Sequence, residues 1–114
     1  DYAVHHGSLI PYPFDSASNE AVAPGLVSLT SYRVVDWVLG EESRADVTLD
    51  SAERAALATY LDGGGALLIS GTELGWDLDA GGRAPAFYNT YLKADYVADD
   101  AGTYQVAPVA GSIS

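Results

Sequence analysis

The sequence predicts an α/β fold built as three layers around a mainly parallel sheet, and three observations carry that prediction. Leu49 to Trp76 reads as a capped helix, a triple-glycine turn and a short apolar strand. A second strand-like run, YRVVDWVL from Tyr32 to Leu39, precedes it across a polar loop. Strand, loop, helix, strand is the order of a parallel crossover, since parallel strands need a long connection to return the chain to the same sheet end.

The helix comes first because its ends are marked by side-chain chemistry. Asp50 suits the N-cap, and Glu53 stands three residues later, where a capping-box partner reaches back. Ala52, Ala55, Ala56 and Ala58 favour helix, while Leu57, Tyr60 and Leu61 form an apolar stripe. Gly63 falls where a left-handed residue closes a helix, and Gly64 and Gly65 discourage continuation. Ala66-Leu67-Leu68-Ile69 is unbroken apolar sequence, which suits a strand covered on both faces. The Tyr32–Leu39 run is β-branched and aromatic, and Gly40 closes it.

The flanks are less patterned. Residues 1–14 hold both histidines, Pro11 and Pro13 without a clear period, and read as a loop or extended arm. Asp15 to Val22 suits a short helix capped by Asp15 or Ser16, and Pro24-Gly25 a turn. Leu26 to Leu29 reads as a short strand or a loop. After Ile69 come a turn with a short helical piece over Ser70–Asp79, a flexible loop over 80–85, and helical spacing from Ala86 to Leu92. Short strands are suggested at Tyr96–Ala98 and Tyr104–Ala107. The expected organisation is therefore an arm over 1–14, an α/β domain over 15–107 and a flexible tail over 108–114.

Composition limits function. Sixteen acids against five basic residues give a net charge of −11, which argues against nucleic acid and anionic membrane surfaces. No apolar run has the length of a membrane span, and no signal peptide is visible. Without cysteine there is no disulfide, thiolate metal site or cysteine nucleophile. A chain starting at Asp1 with no Met anywhere suggests a processed product or a piece of something longer.

Candidate chemistry gathers at strand ends, where sites form in parallel sheets. The loops after the two strands carry Glu41 and Glu42, and Ser70 and Glu73, and one crossover helix should bring them to the same edge. These four read as an acid–base or cation-holding cluster, or as solvated loop acids. Ser70 fails the nucleophile-elbow pattern, because Leu68 and Thr72 stand where glycines are needed. Nothing in the spacing ties His5 or His6 to Ser70, so no triad is predicted. Asp77-x-Asp79 followed by Gly81-Gly82 has the opening of a calcium loop. Gly81 at position five and Tyr88 at position twelve exclude an EF-hand, leaving an irregular Ca²⁺ site or a helix cap. Trp76, Tyr88, Tyr91, Tyr96 and Tyr104 read as a sugar-stacking surface or as core and interface aromatics.

Taken together, FDSASNEAV, YRVVDWVLGEES, TLDSAERAALATYLDGGGALLISGTELGWDL and FYNTYLKADYVADDAGTY resemble a domain of large secreted bacterial proteins. That domain is of the xanthan-lyase-like or N-acetylmuramoyl-L-alanine-amidase-like kind, and the resemblance covers about residues 14–106. It implies a flavodoxin-like sandwich of the class I glutamine amidotransferase-like type, and an extracellular or cell-surface location. This chain has no cysteine for the nucleophile of that superfamily and no identifiable His–Glu pair, so the resemblance implies a degenerate member.

The expected function is accordingly a non-catalytic accessory or interaction domain of a secreted multidomain protein, polysaccharide-associated and without a cofactor. The alternative is a hydrolase using Glu41, Glu42, Ser70 and Glu73. Residues 1–14 offer no opening strand, so other domains of the parent protein or a neighbouring chain are expected against the sheet.

Overall fold

The computed structural model describes residues 2–103, 105 and 107. It is a mixed helix-and-strand fold with a two-stranded parallel sheet. In chain order come helix α1 (Tyr2–Leu9), 3₁₀ turns at Asn19–Ala21 and Leu29–Ser31, and strand β1 (Val34–Gly40). Helix α2 (Ser51–Asp62), strand β2 (Ala66–Gly71), a π-helical turn at Trp76–Ala80 and helix α3 (Pro85–Thr90) follow.

The β1–α2–β2 unit is the crossover that the sequence predicts, and its ends are held as capping chemistry requires. Asp50 Oδ1 accepts from the N–H groups of Ala52 (2.7 Å) and Glu53 (2.8 Å), and Glu53 Oε2 accepts from Asp50 N–H (2.8 Å). The other Glu53 oxygen accepts from Asn19 Nδ2 at 2.7 Å, so the capping residue also anchors the first 3₁₀ turn. At the C-terminal end the expectation for Gly63 is corrected. Gly63 has φ −75°, and the left-handed residue is Gly64 at φ +85°. Gly65 is needed for a different reason: a Cβ there would lie 2.2 Å from the Tyr60 ring, whose hydroxyl donates to Ala66 O at 3.0 Å.

Strand register decides which residues form the core. Val35 pairs with Leu67 and Trp37 with Ile69, and these join Leu39, Leu49, Leu57, Tyr60, Leu74 and Leu78 in one apolar cluster. Trp37 and Leu39 are only 6% exposed. On the other face Asp36 pairs with Leu68 and Val38 with Ser70, and Leu68 remains 58% and Val34 66% exposed. The expectation that Ala66–Ile69 is covered on both faces is therefore corrected. A four-residue apolar run has no period to reveal that one face stays open.

Several flanking elements also differ. Tyr2–Leu9 is helical where an arm is expected, and it reaches the open sheet face through His6 and Asp36. Only Asn19–Ala21 of the expected Asp15–Val22 helix forms, as a 3₁₀ turn preceded by Ser18, whose side chain makes no capping bond. Leu26 to Ser28 is irregular before the turn at Leu29–Ser31, and Tyr96–Ala98 is not a strand. Helix α3 begins one residue earlier than expected, because Pro85 suits the first helical turn, and it ends at Thr90. Of the strand suggested at 104–107, Gln105 and Ala107 are irregular, while Tyr104, Val106 and the 108–114 tail lie outside the described residues.

Candidate functional site

The carboxyl ends of β1 and β2 converge, and they bring two of the four predicted residues, Glu41 and Ser70, to one depression. Glu41 and Ser70 line a shallow, open depression of about 340 Å³ with His6, Val38, Gly40, Gly71 and Thr72. Glu42 is not part of its lining. Partial burial, followed by the charges of Glu53, Asp46 and Glu20, pushes the Glu42 carboxyl above the usual carboxylate range. Glu73 is occupied elsewhere, its Oε2 accepting from Arg44 N–H at 2.9 Å.

The residue that sequence reasoning left unconnected is His6. Its Nδ1 donates to Asp36 Oδ2 at 2.5 Å, across 30 residues of chain. The other oxygen, Asp36 Oδ1, is buried without a hydrogen-bond partner among the described residues. With Nδ1 held by a carboxylate, the imidazole is oriented and His6 joins Ser70 along one depression. One sequence signal was available: Asp36 is an acid in the middle of an otherwise apolar strand, where charge is retained only with a partner.

Asp77 and Asp79, the suggested metal ligands, are engaged by separate protein partners. Asp77 is fully buried and accepts from Thr48 Oγ1 at 2.9 Å and from Thr48 N–H at 3.3 Å. Arg83 Nε lies 2.8 and 2.7 Å from its two oxygens, and Arg44 Nε stands at 4.0 Å. Asp79 Oδ2 accepts from Tyr96 N–H at 2.8 Å. Among the described residues no group of three or more His, Asp or Glu side chains is arranged to hold a metal.

The three proposed ligand-binding aromatics divide into two contact sets. Trp76 meets Tyr96 edge-on at 5.8 Å, and both Tyr96 and Tyr88 crowd Gly75, where a Cβ would lie 2.8 Å from Tyr88 Oη. Burial, then the charges of Asp79 and Asp95, raises the Tyr88 phenol above its ordinary value. Tyr91 instead stacks on Phe87 at 5.4 Å and donates to Asp62 Oδ2 at 3.2 Å. It lines a second shallow depression of about 360 Å³ with Leu61, Asp62, Thr90 and Lys93. A single flat stacking platform is thus not assembled from Trp76, Tyr88 and Tyr91. Among the described residues no helix is long and apolar enough to cross a membrane.

Comparison with family models, with curated proteins and with solved structures finds no match to this chain.

Proposed function

We propose that the chain is a non-catalytic accessory or interaction domain of a secreted multidomain protein acting on or near polysaccharide, and a degenerate member of the family it resembles. One observation carries this reading: among the described residues the sheet has two strands, and β2 leaves Leu68 open to solvent on the face away from α2. Parallel sheets ordinarily have both faces covered, so a two-stranded one asks for more protein. With α2 on one face and α1 touching Asp36 on the other, further strands and helices from the parent protein would complete a flavodoxin-like three-layer sandwich. Glu41 is the one carboxylate that lines the strand-end depression among the described residues, which also supports a non-catalytic role.

The test is to measure solution mass and thermal unfolding of the chain alone and joined to the flanking segments of its parent protein. The flanking segments are expected to raise the unfolding midpoint and sharpen the transition. A soluble monomer with one sharp transition, unchanged by those segments, rejects the reading.

A second reading, a hydrolase at the strand ends, is favoured by the Asp36–His6 pair beside Ser70. In it, His6 takes the Ser70 proton as the serine attacks a carbonyl, and Asp36 orients the imidazole. A fluorophosphonate that labels Ser70 in the native chain, but not in His6→Ala or Asp36→Asn, supports this reading. Absence of labelling in the native chain rejects it.

A further inference from the structure

We infer that the outer edge of β2 is a docking edge for an extended, cationic segment of another polypeptide, which joins the sheet as a strand. This rests on the interaction-domain reading and names its surface and kind of partner. Ala66 N–H donates to Arg33 O at 3.2 Å, and Thr72 N–H donates to Gly40 O at 3.3 Å. Backbone polar groups alternate sides along a strand. Leu67 and Ile69 therefore turn their N–H and C=O groups away from β1, and among the described residues no third strand meets them.

Natural edge strands are usually guarded by lysine, proline, a bulge or an inward-pointing charge. Ala66–Gly71 contains no proline and no charged residue, and its register slips only at the far end, between Val38 and Gly40 of its partner. Its most exposed large side chain is apolar, Leu68. An added strand would gain affinity from main-chain hydrogen bonds and specificity from alternate side chains. One set would lie beside half-buried Leu67 and Ile69 and should be apolar; the other would lie beside Leu68 on the open face.

Charge selects the occupant. Each copy of this chain carries −11, so pairing β2 with a second copy brings like charges together. A segment alternating apolar and basic residues reverses that term, and its attraction should weaken with salt.

The probe is an eight-residue peptide of alternating valine and lysine with blocked termini. Its control carries an N-methyl group on every backbone nitrogen, which removes the donors from both edges of the extended peptide. Binding is followed by fluorescence anisotropy at low and high salt, and amide hydrogen exchange of the full chain locates the contact. The peptide should bind saturably, more weakly at high salt, and should slow exchange at Leu67 and Ile69. The N-methylated peptide should bind roughly ten-fold more weakly, as loss of one or two main-chain bonds would require. Leu68→Lys, with folding checked by circular dichroism, should also weaken binding by setting a like charge beside the lysines of the peptide.

Equal binding by the N-methylated peptide would show electrostatic adhesion only and overturn the inference. Slowed exchange at Leu67 and Ile69 without peptide, together with a doubled mass, would make a second copy the occupant and overturn it too. If the peptide fails while parental flanking segments still stabilise the chain, the interaction-domain reading stands and the β2 edge is the wrong surface.

Discussion

Removing the Asp77 carboxylate should expose how the polar interior of this domain is held. In Asp77→Ala, the Thr48 N–H and hydroxyl lose their acceptor in a fully buried position, and Arg83 Nε loses both oxygens. Breaking a buried ion pair by deleting one partner costs about 3–5 kcal/mol. Here the lower end applies. The Arg83 side chain is 29% exposed, so it recovers some water, and its Nη2 still donates to Arg44 O at 3.0 Å. Thr48 has no such recourse, and unsatisfied buried groups cost about 1–3 kcal/mol each. An estimate of about 3 kcal/mol lowers a urea midpoint by about 2 M for a slope of roughly 1.5 kcal/mol/M. Urea titration followed by circular dichroism measures this directly, and Arg83→Ala with the double variant completes a cycle. The double variant should cost clearly less than the sum of the singles, because the two residues share one interaction. Millimolar calcium should leave the native midpoint where it is, since protein donors already fill the carboxylate. A loss below about 1 kcal/mol for Asp77→Ala, the ordinary worth of one net hydrogen bond, would refute the assignment of Asp77 as the polar hub.

Three further outcomes test the crossover unit and the strand-end loop. Asp50→Ala should cost about 0.5–2 kcal/mol by removing the capping box, and an unchanged denaturation midpoint would mean the helix does not depend on it. Gly64→Ala should destabilise by about 1 kcal/mol because φ is +85°, whereas Gly63→Ala, at φ −75° with only ordinary contacts, should change stability by less than about 0.5 kcal/mol. The reverse order would place the left-handed residue at Gly63. Glu42→Gln should stabilise the chain modestly at neutral pH. A carboxyl whose folded value is raised binds protons more tightly in the native state, so its ionisation costs stability as pH rises through that value. The advantage of glutamine should vanish below the usual carboxylate range, and a pH-independent difference between the two proteins would sink this account.

The capped helix, the strand on either side of it and their parallel order were legible because their signals are local. Asp50 and Glu53 lie within one helical turn, and a glycine run is a turn signal wherever it occurs. The same local signals could not say which glycine is left-handed, since Gly63, Gly64 and Gly65 are alike in sequence. Nor could they fix the exposure of Leu68, because an apolar run carries no alternation until a partner strand defines its faces.

Tertiary structure alone decided the site. His6 meets Asp36 across 30 residues, Glu73 meets Arg44 across 29, and Asp77 meets Thr48 across 29. Spacing of that length contains no geometry, so Glu41, Glu42, Ser70 and Glu73 looked like one cluster when only their loops were known. At closure the Arg44 backbone amide took Glu73 as its acceptor, Glu42 became partly buried under the charges of Glu53, Asp46 and Glu20, and an N-terminal sequence without a clear period became a helix that brought His6 to the depression lined by Ser70. Sequence by itself determined which segments would be helix and strand around the crossover, because those preferences are written within a few residues. Which side chains share a surface was settled only when packing set the register and chose a partner for each charge.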